Sequence, residues 1–360
     1  MMDIYNIWLA MVVGTKCKNG GEIADCGFTP QELYERRKGW GDYPFMLPKQ
    51  MERALTVTLD EAKAVANKHY RYGIESLAYC DDSYPLYFKN MLDAPVILFY
   101  KGDISLLKAP NIIGIVGSRN PDRDGRKICA SIASALARNG VVIASGLAQG
   151  LDGEAHKAAL KENGKTIAFI GTSLDIAYPV AHGELQNTII NRGCVLSEYH
   201  VGKPTPPTTF LERNRLIAAS SKGVCVIQAK RKSGSLATAK NTLEYGKKLF
   251  AVPGDGANEM YGGTNKLVHE GATPLVSAKD VLTFLGLCRE DFDRTVIVPK
   301  LKLTEDEQAI YDSLGNSTKS VIQLFDETHI PMRLLKSTLT KLELSQIIEA
   351  QSSGVYFIRN

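Results

Sequence analysis

No Cys-x-x-Cys pair occurs in the sequence. Its seven cysteines, Cys17, Cys26, Cys80, Cys129, Cys194, Cys225 and Cys288, are scattered and odd in number. This argues against a disulfide framework and for reduced, mostly buried thiols in a cytoplasmic protein. No apolar span of about 18 residues exists, so no membrane crossing is expected. The apolar stretch Asp3 to Val13 lacks a basic leader, and Ile4, Ile7, Trp8, Met11 and Val12 recur at helical spacing. A packed amphipathic helix is therefore expected there, not a signal peptide. Redox and nucleotide-hydrolysis signatures are missing as well. A dinucleotide site needs G-x-G-x-x-G after the first strand, where this chain has GSRNPDRDG. A Walker A loop needs G-x-x-x-x-G-K-[ST]; Gly164-Lys165-Thr166 supplies its end, but residue 159 is Ala and the triplet precedes a strand. His156, four residues after Asp152, has no third ligand at fixed spacing. It reads as a helix-surface or capping residue, and neither a metal nor a cofactor is expected.

What the chain does have is an ordinary globular composition and an uneven charge. Its 360 residues, 44% hydrophobic and 23% charged, suffice for two or three domains. Residues 111–286 carry 21 basic and 14 acidic side chains, whereas 1–110 carry 13 and 14 and 301–360 carry 6 and 8. A basic middle between slightly acidic ends points to a polyanion held centrally.

Residues 1 to about 70 read as short helices, with starts at Pro30 and at Leu59-Asp60-Glu61, and as a packing or dimer-shaping region. A turn at Tyr84-Pro85 and a strand at Val96 to Tyr100 introduce the main sheet. From 111 to 286 apolar strand candidates recur at Ile112 to Val116, Val141 to Ala144, Thr166 to Ile170, Cys194 to Ser197, Val224 to Gln228 and Leu249 to Val252. Helical stretches such as Arg126 to Arg138 separate them. Strands alternating with helices imply right-handed crossovers and a doubly wound, Rossmann-like, mostly parallel α/β sheet. Val296 to Lys302 reads as a linker. The remainder, with Thr304 as an N-cap, helical patterns at Ser320 to Asp326 and Met332 to Leu342, and a hairpin around Ser353-Gly354, follows the order of a winged helix. Its net charge of −2 favours protein contact or regulation over DNA reading.

Ligands of such sheets bind beyond the carboxyl ends of the strands. There lie Gly117-Ser118-Arg119, Ser145-Gly146 running on to Gly150 and Asp152, Gly171-Thr172-Ser173, and Pro253-Gly254. Glycines let backbone N–H groups approach a ligand, and the helix that follows adds partial positive charge. Two further stretches share this chemistry. FLERNRLIAAS puts Phe210, Arg213, Asn214 and Arg215 at a helix start, and KRKSGSLATA puts Lys230, Arg231 and Lys232 before a Ser233-Gly234-Ser235 turn. Cations beside free N–H groups suit phosphates, and an adjacent aromatic suits an unpaired base.

VGSR (116–119), SGLAQGLDGEAH (145–156), TIAFIGTSLDIAYP (166–179), LSEY (196–199), FLERNRLIAAS (210–220), KSGSLATA (232–239), FAVPG (250–254) and GGTNKLVHEGA (262–272), in that order, closely resemble the bacterial DNA-processing protein A (DprA/Smf) family. The resemblance covers roughly 80–280. It implies a homodimeric, Rossmann-like, single-stranded-DNA-binding protein, not an enzyme, that protects incoming DNA and helps load the RecA recombinase in natural transformation. It implies phosphate contacts from Ser118, Arg119, Ser145-Gly146 and Ser233-Gly234-Ser235, and a strand path lined by Phe210, Arg213 and Arg215. It also implies three parts: a small helical (SAM-like) domain at 1–75, an extended Rossmann-like domain at 76–290 and, after a linker at 291–302, a winged-helix-like domain at 303–360. Gln228, His200 and Leu151 depart from the family's usual Glu, Pro and Ile, and Thr208, Thr209 and Glu212 make the Phe210 loop less basic than in many relatives. An alternative stands beside this. Ser233-Gly234-Ser235, Thr238 and Glu244 faintly echo nucleotide-cleaving phosphoribohydrolases, without their double glycine, and a nucleotide-binding scaffold is a third possibility.

Overall fold

The computed structural model describes residues 3–288, 303–315, 318–344, 347–350 and 355–358, so the expected linker at 291–302 lies outside the described residues. The chain divides into two compact units, residues 1–292 and 293–360. Helices α1 (Ile4–Val13), α2 (Gly20–Ala24), α3 (Pro30–Glu35), α4 (Pro48–Thr56) and α5 (Leu59–Arg71) come first. Their starts follow from local chemistry. The Asp3 carboxylate accepts from the Tyr5 N–H, and Thr29 with Glu32, like Thr58 with Glu61, closes a reciprocal capping box.

Then follow β1 (Glu75–Ala78), α6 (Leu86–Lys89), β2 (Ile97–Gly102), β3 (Ile112–Val116), α7 (Arg123–Arg138), β4 (Val142–Ser145), α8 (Leu151–Lys161) and β5 (Thr166–Phe169). The unit continues with α9 (Gly183–Arg192), β6 (Cys194–Ser197), α10 (Thr208–Ser220), β7 (Gly223–Val226), α11 (Ser235–Glu244), β8 (Lys248–Ala251), α12 (Gly262–His269), β9 (Thr273–Pro274) and α13 (Ala278–Phe284). All six strands expected between 111 and 286 are present, their ends displaced by at most two residues. Helix α7 begins three residues earlier than its apolar pattern indicates, because the Asp122 carboxylate caps it by accepting from the Gly125 N–H at 2.7 Å.

The nine strands form one sheet in the order β1-β2-β6-β5-β4-β3-β7-β8-β9. Neighbours from β6 through β9 are parallel, while β2 runs antiparallel to β6 and β1 antiparallel to β2. This is the Rossmann-like doubly wound sheet that the alternation implies. The parallel strands are apolar on both faces. Ile112 and Val116 pack with Leu216, Ile217 and Ala239 of α10 and α11, whereas Ile113 and Ile115 pack with Ile132, Leu136 and Ala155 of α7 and α8. Around β2, β5 and β6 the α7 side of the sheet is covered by α9 together with the first helices. Trp8, Leu33 and Trp40 belong to one apolar core with Ile97, Phe99, Ala168 and Val195. The helices over 4–71 therefore share their core with the sheet.

The second unit contains α14 (Glu305–Leu314), β10 (Lys319–Ser320), α15 (Val321–Thr328), α16 (Met332–Leu344), β11 (Ile348–Ala350) and β12 (Val355–Ile358). Thr304 caps α14 in a box with Glu307. The strands pair antiparallel in the order β10-β12-β11 over a core of Ile310, Leu314, Leu324, Leu335 and Leu339. The turn expected at Ser353-Gly354 lies outside the described residues. Among the described residues no helix is long and apolar enough to cross a membrane.

Candidate nucleic-acid interface

The order of the sheet reverses direction between β3 and β7, and a crevice opens beyond the carboxyl ends of strands at such a switch point. Two hydrogen bonds extend the β3–β7 pairing past the strand ends. The Ile227 N–H donates to the Val116 carbonyl at 3.1 Å and the Ser118 N–H to the Gln228 carbonyl at 2.8 Å. The chains then diverge, and between them lies a cleft of about 950 Å³. Gly117, Ser118, Arg119 and Asn120 form one wall. Pro207, Phe210, Leu211, Arg213 and Asn214 of the α10 start form another. Lys230, Lys232, Ser233, Gly234 and Ser235, with Thr238 behind them, form the third.

The α10 wall is legible in the helix geometry. Phe210, Arg213 and Asn214 are three and four residues apart and share a face. Arg215 is two residues from Arg213, roughly 200° around the axis, and cannot share that face. It does not line the cleft. It is 2% exposed, with Nη2 donating to the Glu198 carboxylate at 2.7 Å and Nε 3.1 Å from an Asp93 carboxylate oxygen, so the expectation that Arg215 lines a strand's path is corrected. Arg213 borders the cleft, yet its donors point inward, to the carbonyls of Gly146 (2.5 Å) and Phe169 and to the Asn214 amide oxygen. Burial pushes its pKa down to about 10, with Asp152 offsetting part of that and Arg119 adding to it. The guanidinium stays charged and anchors the neighbouring turn.

The turn at Ser145-Gly146 is closed on itself and does not line the cleft, correcting the phosphate role expected of it. Ser145 Oγ donates to the Ile115 carbonyl at 2.6 Å, and the Gly146 N–H is taken by the Asp152 carboxylate at 3.2 Å. Gly150, at φ +85°, is a close-approach position: a Cβ there would overlap the Ser118 carbonyl oxygen. The Leu151 N–H donates to the same carbonyl at 3.1 Å, so the α8 start holds the first turn in place from behind. Gly171 likewise supports without lining, since a Cβ there would be 2.9 Å from the Phe210 ring. Thr172 is buried, and its carbonyl accepts from Ser197 Oγ at 2.6 Å. The turn at Pro253-Gly254 is sealed by Asn265, whose side chain both donates to the Gly254 carbonyl and accepts from its N–H. Of the expected site residues, Gly117, Ser118, Arg119, Phe210, Arg213, Asn214, Lys232, Ser233, Gly234 and Ser235 come together at the cleft. Ser145, Gly146, Gly150, Gly171, Thr172 and Arg215 support it from below or lie elsewhere.

What the cleft presents to solvent is an exposed cation over aromatics. The Arg119 guanidinium carbon is 5.7 Å from the Phe210 ring centroid, and Phe210 pairs with Tyr178 at 4.7 Å and 33°. Tyr178, 46% exposed, escapes a sequence reading, because a lone aromatic after a strand-end turn carries no periodic signal. Across the cleft Lys232 is exposed, Lys230 pairs with Glu259 at 2.9 Å, and Ser233 Oγ and Ser235 Oγ are 2.8 Å apart.

His156 is fully buried, correcting its assignment to the helix surface. Its Nδ1 lies 2.6 Å from Thr166 Oγ1, and burial, then Arg213 and His182, push its pKa down to about 3. It is a neutral core residue. Among the described residues no group of three or more His, Cys, Asp or Glu side chains could hold a metal ion. Glu244, the carboxylate of the nucleotide-cleaving alternative, ends α11 roughly 13 Å along the axis from Ser235, 55% exposed and paired with Lys240. It is not part of the cleft.

The family model for DNA recombination-mediator protein A matches residues 75–286. DNA processing protein DprA of Streptococcus pneumoniae is 45% identical over 207 residues, covering 58% of this chain and 73% of the relative, and that of Bacillus subtilis is 38% identical over 242 residues, covering 63% and 82%. The crystal structure of the Streptococcus pneumoniae protein aligns over 78% of this chain and 98% of its own, with a TM-score of 0.67 and 36% identity. A structure of DNA processing protein A from Helicobacter pylori, which gives insight into its single-stranded DNA binding mode, aligns over 59% and 95%, with a TM-score of 0.54 and 35% identity. The switch-point cleft thus sits within a matched region spanning more than half of the sequence, and the chain belongs to the DNA recombination-mediator protein A family.

Proposed function

We propose that the switch-point cleft binds single-stranded DNA, with Arg119 and the Lys230–Ser235 turn taking backbone phosphates and the Phe210–Tyr178 pair stacking an unpaired base. The reading rests on the exposed Arg119 above that aromatic pair, facing a second cationic, hydroxyl-rich turn. Such pairings suit single strands, whose bases leave their π-faces open, whereas duplex bases are already stacked. The single-stranded DNA binding mode of the Helicobacter pylori relative supports it. Asp152, the one carboxylate among the described lining residues, is tied to the Gly146 N–H, so the cleft is read as a binding site without a reaction. On this reading the protein acts in the cytoplasm as a homodimer that protects incoming strands and helps load RecA, with a winged-helix-like second unit making protein contacts.

Fluorescence anisotropy of labelled oligo-dT and a matched duplex, with wild type and Arg119→Ala at two salt concentrations, tests the reading. The single strand is expected to bind more tightly than the duplex. Its log K is expected to fall with log salt at a slope of roughly −0.7 per phosphate neutralised. Arg119→Ala is expected to cost roughly 1 to 3 kcal/mol. Affinity indifferent to both salt and Arg119 overturns it.

A further inference from the structure

One polar atom at the cleft has no partner. Thr238 Oγ1 is buried, its residue 1% exposed, and it makes no hydrogen bond, although Thr238 lines the cleft and lies in the first turn and a half of α11. A buried hydroxyl without a partner is destabilising, and helical threonines ordinarily relieve it by bonding the carbonyl three or four residues back. Here the hydroxyl does not bond the Gly234 carbonyl, which accepts the Ala237 N–H at 3.1 Å. Ser233, Ser235 and the exposed Lys232 line the same cleft, the two serine hydroxyls 2.8 Å apart. The ten-residue helix adds the positive end of its dipole.

We propose that the α11 end of the cleft is a subsite for a terminal phosphomonoester, the end phosphate of a DNA strand or of a mononucleotide, with Thr238 Oγ1 as its innermost donor. This rests on the single-strand reading above and adds to it a preference for strand ends. A phosphodiester inside a strand offers two non-bridging oxygens and must enter and leave the site. A terminal phosphate offers three and ends there, which matches three increasingly buried hydroxyls and the Lys232 ammonium. Arg119 and Phe210, which pairs with Tyr178, lie on the other walls and take the nucleotides that follow.

The test is anisotropy competition by unlabelled oligo-dT carrying a 5′-phosphate, a 3′-phosphate or hydroxyls at both ends, with calorimetry of dTMP against thymidine. In wild type one phosphorylated end is expected to compete roughly tenfold better than the hydroxyl-ended strand. The ratio is expected to fall to about one in Thr238→Val, to be kept in Thr238→Ser, and to persist in Arg119→Ala, where all oligonucleotides weaken together. Equal competition by all three strands in wild type overturns the subsite while leaving the single-strand reading intact, as does a preference that survives Thr238→Val. If no oligonucleotide binds but dTMP binds and thymidine does not, the subsite stands and the strand reading falls. If none of them binds, both fall.

Discussion

Removal of the Arg215 guanidinium would leave the Glu198 carboxylate, 3% exposed, without its cation and Asp93 without its partner. Breaking a buried pair from one side ordinarily costs roughly 3 to 5 kcal/mol, because the desolvated charge stays behind. Arg215→Ala is therefore expected to lower stability by about that amount in urea unfolding. Strand affinity of the fraction that remains folded should stay near wild type, the opposite of the Arg119→Ala profile. The contrast shows what is legible in the sequence at this scale. Residue types at 117–119 and 232–235 pick out turns that do come together at the cleft, but a run such as Arg213-Asn214-Arg215 carries charge without direction. Direction comes from the 100° step of the helix and from Glu198 and Asp93, which lie far from Arg215 in sequence. The placements of Tyr178 and Thr238 are likewise beyond reach, since tertiary packing alone brings them to Phe210 and to the cleft.

Between elements, the strands are readable because those buried on both faces are continuously apolar, and helix starts are readable from Thr29, Thr58 and Thr304 with their matching glutamates. Strands β1 and β10 are not, being short and partly polar, and made by pairing with β2 and β12. Nor does any pattern reveal how α5 is fastened to the segment leading into α10. His69 Nε2 accepts the Val201 N–H at 2.9 Å, and its ring packs edge-on against Phe99 at 4.4 Å. Burial first, then His200, push its pKa down to about 4 from 6.5, with Asp175 opposing. A protonated ring would set two N–H donors against each other. The unfolded chain takes up this proton below pH 6.5 and the folded chain only near pH 4, so stability is full above 6.5 and declines as pH falls through that window. From pH 7 to pH 5 the loss attributable to His69 is about 2 kcal/mol. Urea unfolding at the two pH values should show it, and His69→Gln, which keeps an acceptor but cannot titrate, should flatten the difference.

Across the whole molecule, charge and packing divide the chain differently. The basic surplus lies in 111–286, whereas the apolar core containing Ile97, Phe99 and Val195 also includes Trp8, Leu33 and Trp40 from the first helices. The sheet that carries the cleft therefore depends on residues 4–71 for part of its covering on one face. The second unit has its own core around Ile310, Leu324, Leu335 and Leu339 and a net charge of −2 over 301–360. It adds electrostatic repulsion toward a polyanion more than attraction, a weak effect screened beyond roughly 8 to 10 Å in ordinary salt. Deleting 303–360 is thus expected to leave oligo-dT affinity within about threefold of the full chain and the salt slope unchanged, because the slope reflects phosphates neutralised by cations that remain. Deleting 1–71 is expected to abolish cooperative unfolding altogether, since it strips Trp8, Leu33 and Trp40 from the core they share with Ile97, Phe99 and Val195. Anisotropy on the first truncation and urea unfolding on both check these outcomes. A collapse of strand binding without 303–360 would mean that the second unit neutralises phosphates despite its acidity, and the salt slope would then become shallower by about 0.7 for every phosphate no longer neutralised.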